Sequence, residues 1–186
     1  MGASSTNDGY YDYIFPANGA NTPIEILESD TPLIVETREV LTDSGGPGRM
    51  RGGLGRRVVF RVPDDEYAPI PPVNLGIQSG RYRYPPEGLF GGKDGSRAQF
   101  LINGEPGNPY GLSQLRPGDV VIMDAAGGGG YGDPLERYPE LVEKDAADGY
   151  VSIKGARENY GVIINPQTLE VDRAGTENLR ESLKKK

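Results

Sequence analysis

Four arginines, Arg49, Arg51, Arg56 and Arg57, stand among six glycines in the segment GGPGRMRGGLGRR, residues 45 to 57. Guanidinium groups present planar forks of N–H donors and glycine leaves backbone amides accessible, so this combination suits a carboxylate or a phosphate. The same arginines suit pairing with acids of this chain or of a partner, and the residue types leave both readings open. An outward-facing role requires an exposed loop whose arginines contribute little to the core. A second cationic stretch, SGRYRYPPEGLFGG at 79 to 92, mixes Arg81 and Arg83 with Tyr82, Tyr84, Leu89 and Phe90. Arginine interleaved with aromatic residues is the composition of an interface centre, and aromatic core packing explains it as well. Glu87, Asp94 and Asp124 read as solvated or turn-forming carboxylates.

The densest motif is GGGGYGDPLE at 127 to 136, in which Gly127, Gly128, Gly129, Gly130 and Gly132 precede Asp133 and Pro134. A phosphate-binding P-loop needs a lysine and a hydroxyl residue after its last glycine, and here Gly130 is followed by Tyr131 and Gly132. Gly127, Gly129 and Gly132 fit the spacing of a dinucleotide fingerprint, but so dense a run fits many spacings. The structural reading is a tight connector whose backbone passes too close to its neighbours for side chains. It predicts at least one positive φ in the run, with free amides facing a neighbouring site. Asp133 is placed to cap a helix, with Pro134 at its first position and Glu136 where a capping box wants an acid. Lys93, in GGKDGS at 91 to 96, is not in P-loop order and reads as a turn lysine.

The chain has no histidine and no cysteine. That removes the common zinc and iron ligand sets, a Ser-His-Asp triad, thiol nucleophiles and disulfides, and leaves carboxylates, arginines, tyrosines and backbone amides for any chemistry. A net charge of −7 and a pI near 4.7 argue against nucleic acid or an anionic membrane as partner. No apolar run is long enough to span a bilayer and no signal-like segment follows Met1, so a cytoplasmic protein is expected. The 186 residues hold 28 glycines and 16 prolines, roughly twice the usual share, so much of the backbone must be turn and loop.

The elements that position these motifs change character near residue 133. Residues 1–9 are small and polar and are expected to lack order, and YYDYIF at 10 to 15 reads as an edge strand. Strands are expected at 23–29, 32–41, 54–62, 73–79, 98–102 and 119–124, where branched and apolar residues alternate between Gly/Pro turns. Residues 10–132 are thus read as a β-rich domain, and 133–186 as short helices with a small hairpin (162–164 with 169–171) and a frayed tail. In that second part Tyr138-Pro139 and Ser152 open helices that Gly149 and Gly161 close. The expected fold class is mainly β with a smaller α-helical carboxy-terminal portion, its sheets forming a sandwich or barrel-like assembly with long Gly/Pro loops.

Six segments in one order carry a resemblance: NTPIEILE at 21 to 28, DSGGPGRMRGGLG at 43 to 55, PPEGLFGG at 85 to 92, LRPGDVV at 115 to 121, GGGGYGDPLERYPELVEKDAADGYVS at 127 to 152 and ARENYGVII at 156 to 164. Together they resemble the carboxy-terminal part of the hydantoinase B/oxoprolinase family, across about residues 21 to 172. The resemblance implies a larger complex, with a hydantoinase A-type ATP-binding subunit and the amino-terminal part of a hydantoinase B-type subunit as partners. The implied joint reaction is ATP-dependent opening of a cyclic amide. Related ketone carboxylases use similar subunits to phosphorylate and carboxylate a ketone enol. The family's metal-binding histidines and aspartates lie in an amino-terminal part that this chain does not contain. The expectation is therefore a non-catalytic or pocket-shaping subunit with no cofactor or catalytic residue of its own, ATP and a divalent metal being implied for the complex. A free-standing anion-binding module is the alternative of another class.

Overall fold

The computed structural model describes residues 1–11, 22–69, 72–77 and 80–185. A five-stranded antiparallel sheet has the order β1 (Ile34–Val40), β2 (Arg56–Arg61), β7 (Val120–Asp124), β4 (Gln99–Ile102), β5 (Glu105–Pro106), and β3 (Val73–Gly76) pairs with β6 (Leu112–Leu115) in a second sheet. Register follows the side-chain alternation. Val58, Phe60, Val121, Met123, Phe100 and Ile102 fall on one face because Phe60 pairs with Val121, Val58 with Met123 and Ile102 with Val121. That face joins Val62, Ile77 and Leu115 in the first core.

The helices are α1 (Ile24–Asp30), α2 (Pro139–Ala147), α3 (Ile153–Tyr160) and α4 (Arg173–Lys184), with a 3-10 turn at Pro134–Glu136. A second core of Val142, Val151, Ala156, Tyr160, Val162 and Ile164 holds the carboxy-terminal helices together. Local signals set their ends: the Ser152 hydroxyl accepts from Gly155 N at 2.8 Å, Gly161 leaves α3 at φ 60°, and Asp172 caps α4 by accepting from Gly175 N at 3.0 Å.

The expected mainly-β class is wrong. Helix and strand take comparable shares, both sheets are small, and the five-stranded one is open at β1 and β5, so neither closes into a barrel. The error has two causes. The segment at 23–29 is helical because its apolar residues follow a three-residue spacing: Ile24 and Leu27 face Val35, Val58 and Phe60 across a small cleft. The glycine-rich stretches between strands add no ladder, making only the isolated bridges Met50–Tyr131 and Leu89–Tyr131. The carboxy-terminal part is more helical than the rest, as expected, but its end is not frayed. The Arg180 guanidinium on α4 donates to the Tyr160 and Arg137 carbonyls at 3.0 and 2.8 Å, and Thr176 Oγ1 accepts from Ile163 N at 3.0 Å. Most of the edge strand expected at 10–15, and the end of the one expected at 73–79, lie outside the described residues. No helix among the described residues is long and apolar enough to cross a membrane.

Candidate functional site

Gly127 to Gly130 are buried, and segments from three parts of the chain surround them. Gly128 donates to Gly53 O at 2.7 Å and accepts from Gly46 N at 2.8 Å, while Gly129 accepts from Ala3 N at 2.9 Å. Gly130 donates to Lys93 O and accepts from Leu89 N, both at 2.9 Å. Tyr131 and Met50 exchange a pair of bonds at 2.9 and 3.0 Å, and Gly132 donates to Leu89 O at 2.9 Å. A Cβ at Gly127, Gly128, Gly129 or Gly130 would overlap the carbonyl oxygen of Ser44, Met1, Glu87 or Pro47 respectively. The predicted close approach is therefore present, but Gly127–Gly130 avoid positive φ, which in this motif falls on Gly132 at 74°. The amides of Gly127, Gly128, Gly130, Tyr131 and Gly132 all donate within the chain, Gly127 to Ser96 Oγ at 3.1 Å, so they have no capacity left for a phosphate.

The arginine-rich segment lies against this stack and is largely buried. Arg51, expected in an exposed loop, points inward: its Nε donates to Asp145 Oδ2 at 3.2 Å, its Nη1 to Gly52 O at 2.8 Å, and its guanidinium lies 5.3 Å from the Tyr150 ring centre. Arg57 forms a two-bond fork on Asp124 at 2.8 and 2.7 Å across the β2–β7 pair, so Asp124 is not a solvated carboxylate. Arg49 donates to Ser5 O at 3.3 Å, and its Nε is buried without a partner among the described residues. Arg56 begins β2, half-buried, its carbonyl accepting from Ala125 N at 2.7 Å. Arg81 and Arg83 are exposed without an ion-pair partner among the described residues, the Arg83 guanidinium lying 6.0 Å from the Tyr110 ring centre. The structure thus does not gather the six arginines into one anion site. A separate cleft of about 470 Å³ opens between Asp43, Tyr82, Arg97 and Asp124.

No local pattern marks Arg137, which is 1% exposed and organises the interior. Its Nη1 and Nη2 reach the two Asp8 oxygens at 2.7 Å each, Nη2 also reaches Asp145 Oδ2 at 2.8 Å, and Nη1 donates to Arg49 O at 3.1 Å. Residues 1–9 are accordingly ordered: Asp8 also accepts from Arg51 N at 2.7 Å, and the Met1 amine donates to Tyr10 O at 2.8 Å. Small polar composition reports low core content but cannot report a distant ion-pair partner. Asp133 does cap as expected, accepting from Leu135 N at 2.8 Å, although the element it opens is a single 3-10 turn.

Burial works to raise the Asp8 carboxyl, but the Arg137 hydrogen bonds and charge, with help from Arg51, override it and hold the group below its ordinary value. A carboxyl whose folded pKa is lowered contributes stability above its unfolded pKa, and that contribution is lost as pH falls through the folded value. The thermal midpoint of wild type should therefore drop below about pH 4, and Asp8→Asn should flatten that part of the profile. Parallel slopes for the two proteins in that range would refute the assignment.

Tyr160 packs beside this network, and its buried hydroxyl has no hydrogen-bond partner among the described residues; burial, opposed by the Arg137 charge, pushes its pKa far up and keeps it neutral. Tyr160→Phe is expected to be neutral or stabilising, by up to about 1 kcal/mol in urea denaturation, because it removes an unsatisfied polar atom. A loss above about 1 kcal/mol would reveal a bond to that hydroxyl.

Among the described residues no group of three or more His, Cys, Asp or Glu could hold a metal ion. A sequence model of the hydantoinase B/oxoprolinase family matches residues 1–134. Caprolactamase subunit beta of Pseudomonas jessenii is 36% identical over 82% of this chain and 27% of its own length. The solved ATP-dependent caprolactamase of that organism superposes with a TM-score of 0.78 at 33% identity, covering 97% of this chain and 32% of that one. The acetophenone carboxylase delta subunit of Aromatoleum aromaticum is 29% identical over 97% of this chain and 31% of its own. A nucleotide-free acetone carboxylase structure shares the fold, with a TM-score of 0.79 at 24% identity over 99% of this chain and 29% of that chain. The chain spans less than a third of the length of these relatives. With the family matched across most of the sequence and the fold shared nearly end to end, the chain belongs to the hydantoinase B/oxoprolinase family.

Proposed function

We propose that this chain is a framing portion of a multi-subunit, ATP-dependent enzyme of its family, holding shape for chemistry carried on other polypeptides. The observation that carries this reading is the committed state of its most motif-like segment. The amides of Gly127, Gly128, Gly130, Tyr131 and Gly132 bond to neighbouring backbone or Ser96, and Arg51 and Arg57 bond to Asp145 and Asp124. Groups so engaged support a fixed surface rather than a turnover site. Arg49, with an Nε unpaired among the described residues, and the exposed Arg81 and Arg83 are the cations left to meet a partner or an anion. In this reading a hydantoinase A-type subunit supplies ATP binding, and the remaining hydantoinase B-type portion supplies the divalent metal.

Two reaction classes are supported by different observations. The likeness to ketone carboxylases extends over nearly the whole chain and favours carboxylation of a ketone. The higher identity to the caprolactamase favours opening of a cyclic amide. Purification of the native complex, with its mass determined and its activity assayed for bicarbonate incorporation against cyclic-amide hydrolysis, decides between them. A monodisperse monomer without crosslinked partners would refute the framing role, and tight binding of a carboxylated or phosphorylated ligand by the isolated chain would establish the anion-binding alternative.

A further inference from the structure

We propose that Phe90, at the tip of the turn Leu89–Gly92, anchors this chain to the remaining portion of a hydantoinase B-type subunit by inserting into an apolar pocket there. The inference rests on the framing role above and names the surface that would perform it. Gly92 N donates to Leu89 O at 3.0 Å, and the two central residues both have positive φ, Phe90 at 53° and Gly91 at 91°. Such a primed turn favours Asn-Gly, since asparagine tolerates the left-handed region and a bulky side chain does not. The chain contains that ordinary solution elsewhere: Asn103 and Gly104 join β4 to β5 with φ of 52° and 82°. Phe90 therefore occupies, under strain, a position that asparagine fills easily.

Among the described residues only one ring contact stands against that strain. Phe90 is 78% exposed and Leu89 54%, and the ring contact made by Phe90 is with Tyr131, 5.0 Å between centres. Of the other long side chains at positive φ, Leu169 is half-buried, and Arg81, though exposed, carries a charge that water solvates as it does not solvate the Phe90 ring. The turn is also held rigidly, because Leu89 bonds through both N and O to the glycine stack and Lys93 N donates to Pro47 O at 2.7 Å. An exposed aromatic on a fixed backbone has little freedom left to lose on binding, which is the property of an interface anchor. The occupant follows from the solved caprolactamase, in which this fold fills 32% of a much longer chain, so that other parts of one polypeptide are available to cover this face.

The test compares wild type, Phe90→Asn and Phe90→Leu for thermal midpoint and for binding to a named probe. That probe is the purified amino-terminal two-thirds of caprolactamase subunit beta from Pseudomonas jessenii, immobilised for surface plasmon resonance. Phe90→Asn should melt at or above the wild-type temperature yet bind at least about tenfold more weakly, with Phe90→Leu between the two in affinity. Equal affinity of Phe90→Asn and wild type would overturn the surface while leaving the framing role standing. A wild-type chain that does not bind the probe would overturn the surface, while the framing role stands or falls on the mass of the native complex. A clear drop in the Phe90→Asn midpoint would make Phe90 a folding residue. Self-association of wild type that Phe90→Asn abolishes, without probe binding, would make the occupant a second copy. Either of these last results overturns the proposal.

Discussion

A Gly129→Ala chain is expected to lose about 3–5 kcal/mol of stability, a large fraction of the roughly 5–15 kcal/mol that holds a typical domain folded. The added methyl would overlap Glu87 O and press on the Glu87 carbonyl carbon and Gly88 N, all of them backbone atoms. No rotamer change can relieve the overlap. Backbone movement is also opposed, because Leu89 N is bonded to Gly130 O, Gly88 N to Asp94 Oδ1 at 2.9 Å, and Gly129 O to Ala3 N. The dihedral angle is not the source of the cost, since Gly129 lacks a positive φ. Asp133→Ala, four residues on, serves as the internal comparison and should cost only about 1 kcal/mol for its lost cap. Urea denaturation of both variants checks the pair, and a Gly129→Ala chain within 1 kcal/mol of wild type would mean that the stack yields readily.

Arg137→Met is the second large effect, expected at about 3 kcal/mol because it strands the buried Asp145 carboxylate and the half-buried Asp8 carboxylate. Asp145 would keep only Arg51 Nε at 3.2 Å, and Asp8 would keep only the Arg51 amide. The cost should lie mainly in the orphaned charges rather than in lost attraction, so the combination Arg137→Met, Asp8→Asn, Asp145→Asn should recover part of it. A triple variant no more stable than Arg137→Met would place the loss in packing instead. The network joins residues 129, 94 and 8 positions apart, so it was invisible to any local pattern.

That distance dependence separates what was legible from what was not. Ser152, Gly161 and Asp133 could be read because a cap is satisfied within a few residues of itself. Strands β1, β2, β4 and β7 were read from alternation, and the seven-residue α1 was missed because so short an apolar run satisfies either period. In the glycine run the close approach was legible, since four consecutive residues without side chains suit little else. Its partners at Met1, Gly46, Gly53 and Glu87 were not, because a backbone carbonyl has no residue-type signature. Arg51 and Arg57 suit an anion site and pairing with the chain's own acids alike, and only the placement of Asp145 and Asp124 beside them selects the second.

The glycine stack also sets an order of events during synthesis. Residues 1–3, 44–53 and 87–95 leave the ribosome first, and the run that receives their amides and carbonyls, Gly127 to Gly132, follows. Until it emerges those segments hold only their bonds to one another, such as Gly53 N to Met1 O and Lys93 N to Pro47 O, and the stack stays open along the side that Gly127 to Gly132 fills. Closing such distant pairs in a single late step places this protein among slow, high-contact-order folders, whose nascent chains depend on staying soluble while they wait.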